Sequence, residues 1–362
     1  MLNESMHTRP SALPPSQLQA AWRELRESQP GLRARDMAAQ LGVSEGELVA
    51  SRSGNGVTRL QGPWNAVIHA LPTLGRVMVL TRNDSCVHEK KGTFGHIELG
   101  AAMGVVLDEA IDLRLFLTHW KHGFAVREES RGRHLRSLQF FDGDGQAVHK
   151  VYLTDASDQE AWRVLVKRFA APVQSPLLEW HAVAPPLPSL LRDDAVALES
   201  LRSGWRAMRD PHDFFALLKK HRVTRTQALR LVGREFARPV GHAAIHTILD
   251  AAAASELPIM VFVGSAGVVQ IHTGPVRMVK SMGPWLNVLD DDFNLHLRTD
   301  HICESWVVQK PSPDGAVSSL ELYDNKGNQI VQLFGKRKPG TPQLPAWREL
   351  VDGLPTKASA HA

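Results

Sequence analysis

Hydrophobic and polar positions along this chain switch between two periods, and the switch happens twice. Leu18 to Glu27, Arg35 to Leu41 and Glu45 to Ser51 carry apolar side chains at helical spacing. From Val77 the period shortens to that of strands. Val77 to Thr81 and Cys86 to His88 flank the turn Arg82-Asn-Asp-Ser85, and Asp112-Leu-Arg-Leu-Phe-Leu117 alternates. Leu138 to Phe141 runs through Asp142-Gly-Asp-Gly145 into Val148 to Leu153, which predicts a hairpin with suitable turn residues. Asp158 to Phe169 returns to the helical period. The second passage repeats this order, with Asn325-Lys-Gly327 in its hairpin turn and a closing helix near Pro345 to Leu350.

The two passages align residue against residue at one offset of 182 positions, set by Val77 against Ile259. Met78-Val79 meets Met260-Val261, and Val106-Leu-Asp108 meets Val288-Leu-Asp290. His119 meets His301, and Asp142-x-x-Gly145 meets Asp324-x-x-Gly327. Upstream helices match with small gaps: Trp22-Arg23 against Trp205-Arg206, and Ile68-His69 against Ile245-His246. A constant offset over that span is the mark of a tandem duplication. Helices followed by strands in each copy predict an α+β fold, each unit pairing its helices with an antiparallel β-sheet. Two such copies suggest packing with pseudo-two-fold symmetry. The expected divisions are a disordered tail at 1–17, a first repeat unit at 18–170, a linker at 171–194, a second unit at 195–354 and a tail at 355–362. Five prolines between Ala171 and Ser189 mark the linker, where Leu177, Leu178 and Trp180 could pack on a domain.

Composition narrows the class. The chain has 362 residues, enough for two cores, with 43% apolar and 22% charged residues, which fits a globular protein. A net charge of +4 favours an anionic partner without choosing among nucleic acid, phosphate and carboxylates. Cys86 and Cys303 stand alone in different halves, so neither a disulfide framework nor a zinc site is expected. The start of the chain lacks the apolar core of a signal peptide, and no apolar run reaches membrane-span length. The expectation from these features is a cytoplasmic protein with no membrane insertion.

Candidate chemistry centres on Trp205 to Lys220. Asp210 suits an N-cap and Pro211 the first helical position, with Phe214, Phe215, Leu217 and Leu218 as an apolar face. His212 then falls in the first turn near Phe215. An imidazole fixed beside aromatic rings suits axial ligation of haem iron, and it equally suits a surface histidine in a capped turn. Arg35 to Ser51 has a helix-turn-helix pattern, but its second helix opens with Glu45 and Glu47 and has no basic face for phosphates. His242 and His246 stand one turn apart without a third ligand nearby. Nucleotide-binding and hydrolase motifs are absent. Arg114, on an otherwise apolar strand, joins Arg222, Arg225, Arg298, Lys310, Lys336 and Arg337 as a set of cations. Together they suit a flat apolar ligand with two carboxylates.

The chain resembles the cytoplasmic haem-utilisation proteins of Gram-negative bacteria, the HemS/HmuS/ChuS/PhuS group of hemin-degrading factors. The resemblance covers about Leu18 to Leu354. It is carried by Asp112-Leu-Arg-Leu-Phe-Leu117, Gln139-Phe-Phe-Asp142, Lys150-Val-Tyr152, Trp205-Arg-Ala-Met, Pro211-His-Asp-Phe-Phe215, Ile259-Met-Val-Phe-Val-Gly264, Gly283-x-x-Leu-Asn287, Leu295-His-Leu297, Ser319-Leu-Glu-Leu322 and Gly335-Lys-Arg337. It implies haem b, as cargo or substrate, with His212 as axial ligand and Arg114 as the distal and candidate catalytic residue. It places Phe116 and Phe215 against the ring, and Arg225, Lys310 and Arg337 with Gln332 at the propionates. Phe334 departs from the tyrosine expected there, and Gln29 occupies the first-unit counterpart of His212. The implied roles divide. One is trafficking of internalised haem to a haem oxygenase, with an inner-membrane haem importer upstream. The second is haem degradation with external reductant, because no flavin or nicotinamide motif is present. A rival of a different class, drawn from the Arg35–Ser51 helices and not from the resemblance, is a haem-responsive DNA-binding regulator.

Overall fold

The computed structural model describes residues 13–130, 132–181, 190–210, 213–338 and 340–357. Its elements come in two matching series. The first contains helices α1 Pro15–Ser28, α2 Ala34–Gln40, α3 Glu45–Ala50, α4 Trp64–Ala70 and α5 Gln159–Phe169. Its strands are β1 Val57–Leu60, β2 Gly75–Arg82, β3 Cys86–Gly92, β4 His96–Leu99, β5 Met103–Leu107, β6 Asp112–Phe116, β7 His122–Ser130, β8 Arg133–Phe141 and β9 Ala147–Ser157. The second has helices α6 Leu198–Arg206, α7 Asp213–His221, α8 Arg225–Val232, α9 Ala244–Ala254 and α10 Pro345–Asp352. Its strands are β10 Ala237–Val240, β11 Ile259–Gly264, β12 Val268–Gly274, β13 Val279–Met282, β14 Trp285–Leu289, β15 Phe293–Arg298, β16 Glu304–Lys310, β17 Val317–Tyr323 and β18 Gln329–Gly335. The fold is α+β with two nine-stranded antiparallel sheets. Each strand of the first series has its counterpart nine strands later.

Local chemistry explains the element boundaries. Asp158 caps α5, accepting from the backbone N–H groups of Glu160 and Ala161 at 2.8 and 2.9 Å. Ser44 with Glu47 opens α3, and Thr224 with Gln227 opens α8, each as a reciprocal capping box. The two hairpin turns close alike. Asp142 Oδ1 accepts from Asp144 and Gln146, and Asp324 Oδ1 accepts from Lys326 and Asn328.

The chain divides into two compact units, and the division is not a single cut. The first unit is Met1–Arg82, Glu89–Pro185 and Ser265–Gln270; the second is Asn83–His88, Pro186–Gly264 and Ile271–Ala362. The two inserted segments are equivalent, because 83–88 becomes 265–270 at the repeat offset of 182. In the second unit, Asn83 Oδ1 accepts from the N–H groups of Ser85 and Cys86, and its amide donates to the Ile330 carbonyl at 2.8 Å. In the first unit, Ser265 Oγ accepts from Gly267 and Val268 and donates to the Val148 carbonyl at 2.7 Å. Each segment also donates one apolar side chain to a core. Val268 packs with Val79, Leu115, Leu138 and Trp162, and Cys86 packs with Val261, Leu297, Leu320 and Trp347. Burying a side chain such as Val268 contributes about 1.5–3 kcal/mol. Both cysteines are free thiols, as their separation implied. Burial pushes the Cys86 thiol pKa far up, so that side chain is inert packing.

Candidate functional site

Helix α3 bears on the helix-turn-helix pattern read from the sequence. All six of its residues, Glu45 to Ala50, are buried. Val49 and Ala50 pack with Phe124, Phe141 and Trp180, and Leu48 packs with Leu18 and Met37. Gly46 is required by closeness, since a Cβ there would stand 2.8 Å from the Trp180 ring. Glu45 makes ion pairs with Arg82 and Lys150. The helix, turn and capped second helix read from Arg35–Ser51 do form, as α2 and α3, and they serve as a packing unit. Helix α3 is core, held there by its apolar face and by the pairing of Glu45, which agrees with its lack of a basic face for phosphates.

The first unit carries two of the residues assigned to the ligand, Arg114 and Phe116, on β6. Strand alternation sends Leu113 and Leu115 into the core and leaves Asp112, Arg114 and Phe116 half-buried on the other face. Arg114 donates to Asp112 and to the Leu113 carbonyl. Burial raises the Asp112 pKa despite the opposing Arg114 charge. The end of the strand is fixed by the Phe116 N–H, which donates to the Gly267 carbonyl at 2.9 Å.

The second unit carries the others. His212, the expected axial ligand, lies outside the described residues, as does Pro211. Helix α7 is described from Asp213, whose carboxylate accepts from the N–H groups of Arg209 and Asp210 at 3.1 Å each. Phe214 is buried against Trp205, with ring centroids 4.8 Å apart, whereas Phe215 is 73% exposed. Lys310 and Arg225 converge on Glu321, at 2.6 and 3.9 Å. Both cations also lie over the Phe214 ring, at 4.6 and 5.0 Å from its centroid. Burial opposes ionisation of Glu321, but Lys310 and Arg225 overcome it and hold its pKa low, at about 2. Gln332 is half-buried and sits directly across from Glu321 in the β17–β18 pairing. Phe334 meets Phe262 edge-on at 5.0 Å. Arg337 pairs with Asp314 at 3.6 Å.

Thus α7, α8, β16, β17 and β18 gather Phe214, Arg225, Lys310 and Gln332 around one buried carboxylate. Sequence reasoning did not single out Glu321, although a charge within the apolar run Ser319-Leu-Glu-Leu322 required a buried partner. Among the described residues, no three His, Cys, Asp or Glu side chains are gathered for a metal ion, His242 and His246 included. No helix among the described residues is long and apolar enough to cross a membrane.

A duplicated α+β chain with an aromatic-and-cation cluster in its second copy defines a class of two-repeat proteins. The haemin-degrading HemS/ChuX domain matches this chain twice, at residues 42–169 and 222–354. The chain belongs to that family. It is 41% identical over 330 residues to the hemin transport protein HmuS of Yersinia pestis, covering 91% of this chain and 94% of HmuS. Its fold matches the crystal structure of holo-PhuS, a heme-binding protein from Pseudomonas aeruginosa. That match has a TM-score of 0.93 and 50% identity, covering 95% of this chain and all of the other. It also matches ChuS, described as an E. coli heme oxygenase, with a TM-score of 0.85 and 39% identity, covering 93% and 99% of the two chains.

Proposed function

We propose that this chain binds haem b through its second unit and that its role is to traffic internalised haem through the cytoplasm to a haem oxygenase. His212 is the axial ligand in this reading. Arg225, Lys310, Arg337 and Gln332 face the propionates, Phe215 and Phe116 cover the ring, and Arg114 is the distal donor. One observation carries the reading: two cations sit over an aromatic ring at the start of α7, two residues beyond His212. Planar rings favour aromatic contacts, and carboxylates favour charge-assisted hydrogen bonds. The family supports the ligand, since holo-PhuS is a heme-binding protein and HmuS a hemin transport protein.

A second reading has its own support. ChuS is described as a heme oxygenase, and Arg114 offers a guanidinium that could steer an anion or oxygen on the distal side. Degradation would need electrons from outside the chain. One experiment with two arms tests both readings. Haemin titrated into the wild type should give a sharp Soret band near one equivalent, weakened or shifted in His212→Ala; an unchanged band would remove His212 from the site. The loaded protein is then given ascorbate with catalase present. Intact haem that passes to an acceptor supports trafficking. Stoichiometric iron and an open-chain tetrapyrrole, lost in Arg114→Ala, would make the protein an enzyme.

A further inference from the structure

Glu321 is a fully engaged buried carboxylate of the second unit. It has no solvent exposure. Lys310 Nζ donates to Oε1 at 2.6 Å and Ser319 Oγ to the same oxygen at 3.0 Å. The Tyr323 hydroxyl donates to Oε2, which Arg225 approaches at 3.9 Å. The two cations it holds differ in freedom. Lys310 is buried, whereas the Arg225 side chain is 29% exposed and stands farther from the carboxylate.

We propose that Glu321 is the positioning residue of the ligand-carboxylate site: it locks Lys310 in place over Phe214 as a buried charge and holds Arg225, the more exposed of the two cations, where it can meet an incoming carboxylate. This rests on the reading of Lys310 and Arg225 as propionate partners. A buried ammonium without a counter-charge tends to lose its proton, and burial already lowers the Lys310 pKa. Glu321 keeps that charge in place inside the protein. Arg225 lies at the edge of the same carboxylate and can turn toward a ligand without leaving Glu321 unsatisfied, because Lys310, Ser319 and Tyr323 still donate to it. The Phe214 ring, packed edge-on against Trp205, forms a rigid floor under both cations.

The test separates positioning from plain stabilisation by comparing two ligands. Haemin carries two carboxylates; haemin dimethyl ester carries none with charge. Dissociation constants for both are measured on the wild type, Glu321→Gln and Glu321→Asp. The wild type should prefer haemin. Glu321→Gln should reduce that preference by about tenfold or more, the worth of one charge-assisted hydrogen bond. Glu321→Asp should retain most of it. Tyr323→Phe, which removes one donor to Glu321, should reduce the preference by less and serves if Glu321→Gln does not fold. Equal weakening of both ligands, with the preference intact, overturns the proposal and leaves Glu321 a purely structural ion. A wild type that binds neither ligand refutes haem binding itself. A wild type that binds both equally refutes the propionate role of Lys310 and Arg225, and this proposal with it.

Discussion

The two units place buried ions at the same lattice of positions and fill it with opposite chemistry. Behind its capping box, the first helical residue is Glu45 in α3 and Arg225 in α8. The cross-strand pair is Gln139–Lys150 in the first unit and Glu321–Gln332 in the second. In the first unit the acid is on the helix, and its bases, Lys150 and Arg82, are on strands. In the second the acid is on a strand, with one base on the helix. Arg82 is only 11% exposed and in close contact with Glu45, whereas Arg225 is more open and lies 3.9 Å from its partner. A third pair differs outright. Thr81 and His149 share a hydrogen bond of 2.9 Å, where the repeat offset puts Val263 and Val331. Duplication therefore preserved geometry, with each buried charge required to find a partner and its sign left free. The first unit's cluster is closed on itself, and the second keeps one cation accessible.

The largest expected effect breaks the closed cluster. Glu45→Ala leaves Lys150 and Arg82 buried without their counter-charge and should cost about 3–5 kcal/mol. Urea unfolding followed by tryptophan fluorescence would measure it. A loss below about 1 kcal/mol, the range of an exposed pair, would mean the cluster is solvated and the contrast with the second unit fails.

Acid sharpens the contrast next. Burial holds the His149 pKa at about 3, below the ordinary value of about 6.5. The unfolded chain therefore takes up a proton that the folded first unit refuses. Stability contributed by neutral His149 is complete above about pH 6.5 and falls as pH drops toward 3, by up to about 1.4 kcal/mol per pH unit. The paired change Thr81→Val with His149→Val installs the second unit's residues and should flatten that slope between pH 4 and 6.5. Urea midpoints across that range would show it, and an unaltered slope would assign the sensitivity elsewhere.

The smallest effect moves the other way. Phe334 occupies the position of Tyr152. Phe334→Tyr should strengthen haemin binding by no more than about tenfold, as expected of a single added hydrogen bond, and leave the dimethyl ester unaffected. Equal gains for both ligands would place the new hydroxyl away from the carboxylates.

Much of this was legible in the chain. The offset of 182 announced the duplication, and Asp158, Ser44 and the Asp142 turn marked element ends through local hydrogen bonding. What escaped had weak or non-local signals. Strands β4 and β13 are four-residue edges with exposed positions that carry little apolar alternation. Strand β7 ends in charged residues and does not read as a strand. The burial of α3 could not be read from its own residues, because Trp180 and Gly145 cover it from far along the chain. Arg225 and Lys310 were legible as cations, but their shared dependence on Glu321 exists only once α8, β16 and β17 meet.

The reciprocal segments impose an order on synthesis. The first unit runs to Pro185 and still lacks Ser265–Gln270, with Val268 for its core and the Gly267 carbonyl that anchors β6. A nascent chain cannot finish that unit until residue 270 has been made, roughly 4–17 s after residue 185 at 5–20 residues per second. During that interval β6 is held by its pairing with β5 but lacks the Gly267 carbonyl that fixes its end at Phe116. A stop codon placed between the repeats would yield an incomplete protein instead of half of a working one.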